Sequence, residues 1–393
     1  MKRIIYFVMI ACVATMVGCK NDDNGSEDMS AKEQALKRIV ADYTAKNVIP
    51  IYDSLANATI DLYDACAAML EKFDGKNLTE ADVKVAAGHW ENARKYWERS
   101  ESFLYGPVAI YNIDPHIDSW PLDQTAMEAL LGNAETMKLV EEQGADYVST
   151  KLGYGLLGFH AAEYMLYAHD NADKSNVKLY PIADYTRAKL VYLKAVAEDL
   201  RNQTVLLQAC WEGIDKVSAA KKKILQDAEL DDKSYETVGY AWYMNNAGAS
   251  GSSFKTFQES AEEIIQGCID IADEVGNTKI GTPCNAANDE DRNYIESPYS
   301  LNSIEDFQDN IRSIRNSYAG VNGGSGLSNY VQSINPDLDA KVKKAIENAL
   351  KAIAAIPEPF ASNATGAESK NAVKVVGTDL ANVLSEVMEL ITK

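Results

Sequence analysis

Gly153-Tyr-Gly-Leu-Leu-Gly-Phe-His-Ala-Ala-Glu-Tyr-Met-Leu-Tyr-Ala-His169 is the stretch on which the fold turns. With the preceding Leu152, its residues Leu156, Phe159 and Leu166 fall on one stripe of a helical wheel at about 100° per residue. Glu163 lies inside that stripe, about 20° from Leu152, with His160 and Tyr167 on its shoulder. A carboxylate on a core-facing line is costly unless it is paired, protonated or bound to a metal. His160 and Glu163 are three residues apart, so their side chains can converge on one point. Gly153, Gly155 and Gly158 would each cost about 1 kcal/mol relative to alanine inside a helix. They predict close approach of another backbone, or a helix that begins within the run. The His/Glu pair reads either as a satisfied core contact or as part of a site.

The same periodicity continues along nearly the whole chain, with almost no alternating strand pattern, so the sequence predicts an all-α protein. A first helix starts at Ser30 and ends near Lys46, with Pro50 as its stop. Asp53–Phe73 forms the next, closed by Asp74-Gly75. Thr79-Glu-Ala-Asp82 opens a third that reaches Tyr105 and is stopped by Gly106-Pro107. Residues 106–122 form an irregular link. Helices are expected at about 123–131, 136–144, 150–169, 181–229 (broken) and 235–246. Residues 254–273, 301–318, 336–354 and 368–391 follow, with 276–300 irregular and 320–326 a flexible connection. Each half has a long helix, an irregular stretch, and a helix ending in an aromatic–glycine corner (Tyr105-Gly106; Tyr318-Ala-Gly320). About 360 residues suffice for two cores. The expected architecture is two helical bundles packed side by side, 31–240 and 241–393, in a pattern that fits an internal duplication.

A second helix repeats the anomaly. Trp90, Trp97 and Leu104 form its apolar stripe, and Glu101 lies about 20° from Trp90. Arg94 sits beside it and Glu98 on its shoulder. These three charges either form a local ion-pair ladder, or the two helices meet around a shared polar site. On the second reading His160, Glu163 and Glu101 are candidate metal ligands, with Arg94 and Glu98 supporting them. His116, in the link with Asp114 and Asp118, is an additional candidate, while Asp118-Ser-Trp120-Pro121 equally reads as a turn around a packed aromatic. His89 and His169 read as surface or capping residues.

Residues 1–18 read as a secretory signal: Lys2 and Arg3, an apolar run from Ile4 to Val17, then a small residue. Met16-Val17-Gly18-Cys19 resembles a lipobox, which would make Cys19 the acylated first residue of the mature chain, followed by an acidic tether to residue 30. The expectation is a lipoprotein anchored to a bilayer of the bacterial cell envelope, on its periplasmic or surface face. Signal removal takes away two basic residues and no acid, so the formal charge of −20 becomes −22. Nucleic acid is a poor partner for such a surface, and cations are better ones. No CxxC occurs among Cys66, Cys210, Cys268 and Cys284, which argues against a zinc knuckle. Export permits disulfides, and Cys268 and Cys284 are the nearest pair in sequence.

Three separated segments together resemble the imelysin family. They are Trp90…Ala93-Arg94…Trp97…Glu101-Ser-Phe103-Leu-Tyr-Gly106 with Ile117-Asp118-Ser-Trp120-Pro121; Gly158-Phe-His160-Ala-Ala-Glu163, which matches the family's GxHxxE motif; and Gly281-Thr-Pro with Glu296-Ser-Pro-Tyr299-Ser300 and Asp306…Asn310…Ile314…Tyr318-Ala-Gly320. The resemblance implies a two-bundle helical protein exported to the periplasm or cell surface. It implies a site of His160 and Glu163 with Arg94, Glu101 and Asp118 nearby, and places the Glu296–Ser300 segment where the halves meet. One family member is described as an insulin-cleaving peptidase, and others look like components of iron uptake. The chain has no HExxH, HxxEH or Gly-x-Ser-x-Gly. A metallopeptidase here would need His160, Glu163 and Glu101 as ligands and Asp118 or His116 as base. Carboxylate-rich ligation suits iron better than zinc. The first expectation is therefore a lipoprotein that binds a metal ion or metal-containing ligand during iron uptake, with a membrane component as partner. The second is a metal-dependent peptidase, and the third a module whose polar cluster only holds the bundles in register.

Overall fold

The computed structural model describes residues 29–231 and 237–393. The signal, Cys19 and most of the tether lie outside the described residues. Among those described, every regular element is helical, and the extended pairing is an isolated antiparallel bridge between Tyr167 and Leu179. The all-α expectation holds. No described helix is long and apolar enough to cross a membrane.

Helix α1 (Ala31–Tyr43) is capped by the Ser30 hydroxyl, which accepts the Glu33 N–H at 3.2 Å. The helical path does not stop before Pro50. A wide π turn, Thr44–Val48, carries the chain into α2 (Ile49–Asp74), with Pro50 in its first turn. The widened turn tolerates a residue that cannot donate a backbone hydrogen bond. Helix α3 (Glu80–Glu98) opens with the Asp82 carboxylate accepting from the Thr79 N–H at 2.9 Å and from its hydroxyl at 2.7 Å. It ends seven residues earlier than the expected Tyr105. The Ser100 hydroxyl turns back onto the Trp97 carbonyl at 2.6 Å, competing with the helical ladder, and Glu101–Phe103 forms a tight 3₁₀ turn instead.

The opening stretch is also shorter as a helix than its pattern implies. Tyr154–Leu156 is one 3₁₀ turn, and α4 spans only Gly158–Leu166, every residue of it buried. Both reasons for glycine apply at Gly158. Its φ is +74°, and a Cβ there would lie 2.1 Å from the Ile117 carbonyl oxygen. Helix α5 (Arg187–Glu212) packs along α2, and α2 along α3, to make the first bundle, with α4 laid against α3 and α5.

The second bundle contains α6 (Phe257–Asp273), α7 (Ser303–Ala319), α8 (Pro336–Ala354) and α9 (Ala381–Thr392). Helix α1 docks on α6. The region expected to be irregular between 276 and 300 is partly helical. A π turn, Glu274–Lys279, extends α6, and short helices span Gly281–Cys284 and Asp289–Arg292. That π turn faces another, Val375–Leu380, before α9; a Cβ on Gly276 would lie 2.2 Å from the Gly377 nitrogen. Where the bundles meet, the Ser102 hydroxyl lies 2.7 Å from that of Ser313 and 2.8 Å from that of Ser317. A Cβ on Gly267 would come within 2.2 Å of the Ser102 carbonyl oxygen, so the seam closes on small residues. Cys66, Cys210, Cys268 and Cys284 are buried free thiols, and Cys268 and Cys284 are not bonded to each other.

Candidate metal centre

At that seam two cations lie wholly inside the protein. The Arg94 guanidinium, from α3, donates to Asp118 and, at 2.5 Å, to Glu296; it is 2.5 Å from Glu98 and 3.7 Å from Asp306. The Lys279 ammonium, from the π turn after α6, lies 3.0 Å from Glu101 and from Glu296 and 3.5 Å from Glu98, with the Trp120 ring 5.2 Å away. Asp118 takes a further hydrogen bond from the Trp97 indole at 2.7 Å, and Glu98 one from the Asn310 amide at 2.6 Å. Asp306 accepts from Ser297 and Asn302, each at 2.6 Å.

His160 and Glu163 join this group from α4. His160 Nδ1 is 3.4 Å from Glu163 Oε2, and Nε2 is 3.1 Å from Asp118 Oδ1. The second approach lacks hydrogen-bond alignment, so Nε2 has no directed partner; neither has Glu296 Oε2. The other Glu163 oxygen is fully engaged. It accepts the N–H groups of Tyr299 and Ser300 at 3.0 and 2.8 Å and the Ser300 hydroxyl at 2.7 Å. A cleft of about 600 Å³ reaches the group from outside, with His160, Trp120, Tyr299 and Glu290 on its walls.

Charge is out of balance here. Glu98, Glu101, Asp118, Glu163, Glu296 and Asp306 are all buried, against Arg94, Lys279 and His160. The shortage of cations shows in the titration of the carboxyls. Burial, reinforced by neighbouring carboxylates, drives Glu98 and Glu101 well above the usual range, against the pull of the nearby cations. Burial also raises Asp306 to about 6, and raises Asp114, helped by Asp118, to about 7. For Asp118, burial is outweighed by Arg94 and His160, and its carboxyl stays below the ordinary value. Burial opposes the charged form of His160, but Asp118 and Glu163 prevail and lift it to about 9. Excess buried negative charge must be met by protons or by another cation.

Two sets of residues each place their donor atoms within 4.8 Å of one another: Asp118, His160 and Glu296, and Glu98, Glu101 and Asp118. Imidazole and carboxylate donors of this kind fit an iron-class divalent ion, and three atoms of these residues, Glu98 Oε1, His160 Nε2 and Glu296 Oε2, have no aligned hydrogen bond. Of the residues singled out in the sequence, His160, Arg94, Glu98, Glu101, Asp118 and Glu296 come together. Glu163 touches His160 but belongs to neither donor set, and it does not pair with Arg94. Tyr299 and Trp120 line the cleft, and Gly158 lets α4 approach Ile117. His116 stands apart, bonded to Asp199 at 2.8 Å.

Lys279 escapes the sequence reading, because residues 276–300 read as irregular. The signal is nonetheless present: continuing the α6 wheel, Lys279 falls about 20° from the buried Cys268, a lone cation on an apolar stripe.

The imelysin family model matches residues 48–387. Iron-regulated protein A of Synechococcus elongatus is 28% identical over 341 residues, covering 86% of this chain and 80% of its own. A crystal structure from Parabacteroides distasonis, assigned as an iron-regulated protein A precursor, superposes with a TM-score of 0.76 at 26% identity, covering 92% of this chain and 96% of that one. An imelysin-like protein from Psychrobacter arcticum shares the fold at a TM-score of 0.59 and 13% identity, over 93% and 94% of the two chains. With the match running from α1's exit turn to α9, the chain belongs to the imelysin family.

Proposed function

We propose that this protein binds a metal ion, with iron favoured, as a lipid-anchored component of bacterial iron uptake. The observation that carries the reading is the surplus of buried carboxylates around His160 Nε2 and Glu296 Oε2, two donor atoms without an aligned hydrogen bond. His160, Asp118 and Glu296 would hold the ion, Glu163 would orient His160, and the cleft past Trp120 and Tyr299 would admit it. Bound there, the metal would supply the positive charge that protons otherwise provide. The iron preference draws on the donor chemistry and on the iron-regulated name of the relative. A peptidase reading has less support, because the carboxylates are at most 4% exposed, out of reach of a polypeptide.

The test is metal analysis and thermal melting of the protein and of His160→Ala, with and without ferrous, ferric and zinc ions. The native melting temperature should rise with metal concentration, and the variant should lose that rise. A native melt indifferent to every metal would overturn the reading. Anchoring is tested separately: Cys19→Ser should release a soluble or unprocessed form, and continued full partition with membranes would refute a lipid anchor.

A further inference from the structure

The two donor sets share Asp118, and a carboxylate common to two sets is the usual bridge of a dinuclear site in a helical bundle. The sets are not equivalent, however. Around Asp118, His160 and Glu296, Arg94 binds Asp118 and Glu296 Oε1 from one side, while His160 Nε2 and Glu296 Oε2, like Glu98 Oε1 of the other set, lack an aligned hydrogen bond. Around Glu98 and Glu101, a cation is already in place. Lys279 Nζ lies 3.1 and 3.0 Å from the two Glu101 oxygens, 3.0 Å from Glu296 Oε1 and 3.5 Å from Glu98 Oε2. Its side chain is completely buried.

We infer that the Lys279 ammonium permanently fills the second cation position of a two-cation carboxylate site, so that the native protein takes up a single diffusible metal ion, at Asp118, His160 and Glu296. The inference rests on the metal-binding reading above but adds the nuclearity of the site and the residue that sets it. Geometry supports it in three ways. Three carboxylates converge on one nitrogen, as they would on a metal. The Trp120 face, 5.2 Å from Nζ, flanks the ammonium. Lys279 is carried by a π turn whose Gly276 packs directly on Gly377, so the backbone that bears the lysine is pressed against a second turn. Burial works against the charge, yet Glu101, Glu296 and Glu98 keep the lysine protonated far above its ordinary range. A tethered monovalent cation at this place leaves Glu296 shared between the two positions. It thereby excludes the paired metals that oxygen-activating carboxylate sites require.

The experiment compares the full-length protein with Lys279→Met and Lys279→Arg. Each is loaded anaerobically with ferrous ion, and in parallel with manganese or zinc, then desalted, assayed for metal per chain and melted. The native protein and Lys279→Arg should hold one ion per chain. Lys279→Met should hold two, with a metal-dependent rise in melting temperature larger than that of the native protein. If Lys279→Met folds only when metal is added and then holds two ions, the inference stands, since metal has replaced the ammonium. A folded Lys279→Met that holds one ion or none overturns it, and so does one that stays unfolded at saturating metal. Should the native protein bind nothing while Lys279→Met holds two ions, the metal-binding function of the native chain fails and the role of Lys279 in blocking the second position survives. One ion in both would spare the function and remove only this inference.

Discussion

Two buried lysines in this molecule solve the same problem differently. Lys221 donates to Asp53 at 2.8 Å and to the Gln208 amide oxygen at 2.6 Å, and the Asp53 side chain is half exposed. Water and one carboxylate balance that ammonium. Lys279 meets three carboxylates, all buried, beside an arginine that is buried as well. In the first place charge is neutralised locally and screened. In the second it is concentrated, and the surplus is negative. Structural ion pairs need only the first arrangement. The second costs more to build, and on the metal-binding proposal that cost is offset when a further cation is bound.

The largest effect should come from breaking the crowded region at Arg94. Arg94→Met would strand Asp118, Glu98 and Glu296 in an interior without solvent, and we expect a loss of about 3–5 kcal/mol in chemical denaturation. Arg94→Lys should recover only part of it, because one ammonium cannot span partners that a planar guanidinium reaches from two nitrogens. A loss below about 1 kcal/mol for Arg94→Met would show that the charges there are not coupled.

The contrast also explains what could be read from the sequence. The bundles were legible because α6, α7, α8 and α9 place Ile264, Ile311, Val342 and Leu384 on regular apolar faces. At the crowded site, composition was legible and geometry was not. Glu101 stands out as a carboxylate on a tryptophan stripe, and it is buried there, but on a 3₁₀ turn past the helix end. His160 and Glu163 share one short buried helix, as their spacing implies. The backbone N–H groups that hold Glu163 come from Tyr299 and Ser300, more than a hundred residues away, and no local period encodes that pairing. Lys279 is hidden because it lies on a π turn past the end of α6, in a stretch whose composition reads as irregular.

A smaller effect should appear in the pH dependence of the metal-free protein. His160 is lifted to about 9 in the folded state, from an ordinary value of about 6.5. Its contribution to stability is therefore complete below about pH 6.5 and is lost as pH rises through 9. Asp114, raised to about 7, acts in the same direction, losing its contribution as pH climbs through 7. Asp118 is lowered, so its contribution is lost only in acid. Stability should fall by on the order of 2–3 kcal/mol from His160 between about pH 6 and pH 9.5. His160→Gln should remove the His160 share of that slope in melts recorded across the range, leaving the share set by the raised Asp114, Asp306, Glu98 and Glu101. An unchanged slope in the variant would place the titration elsewhere.

The smallest effect should come from the balanced lysine. Asp53→Asn removes the one carboxylate that Lys221 contacts, which at first sight copies the damage done by Arg94→Met. The surroundings make it different. The amide introduced by Asp53→Asn would keep an oxygen able to accept from Lys221 and from the Gln208 amide, which now reaches Asp53 at 2.9 Å. The Gln208 oxygen remains on Lys221 at 2.6 Å, and Glu212 lies within the same network, accepting from Gln208 at 2.6 Å. Half of the Asp53 side chain already faces water, so its charge is screened before the substitution is made. A change of no more than about 1 kcal/mol is expected, shrinking further in high salt. Denaturation of Asp53→Asn beside Arg94→Met in one buffer measures the contrast directly. A loss at Asp53 comparable with that at Arg94 would mean that burial of the lysine, rather than the number of carboxylates around it, governs both sites.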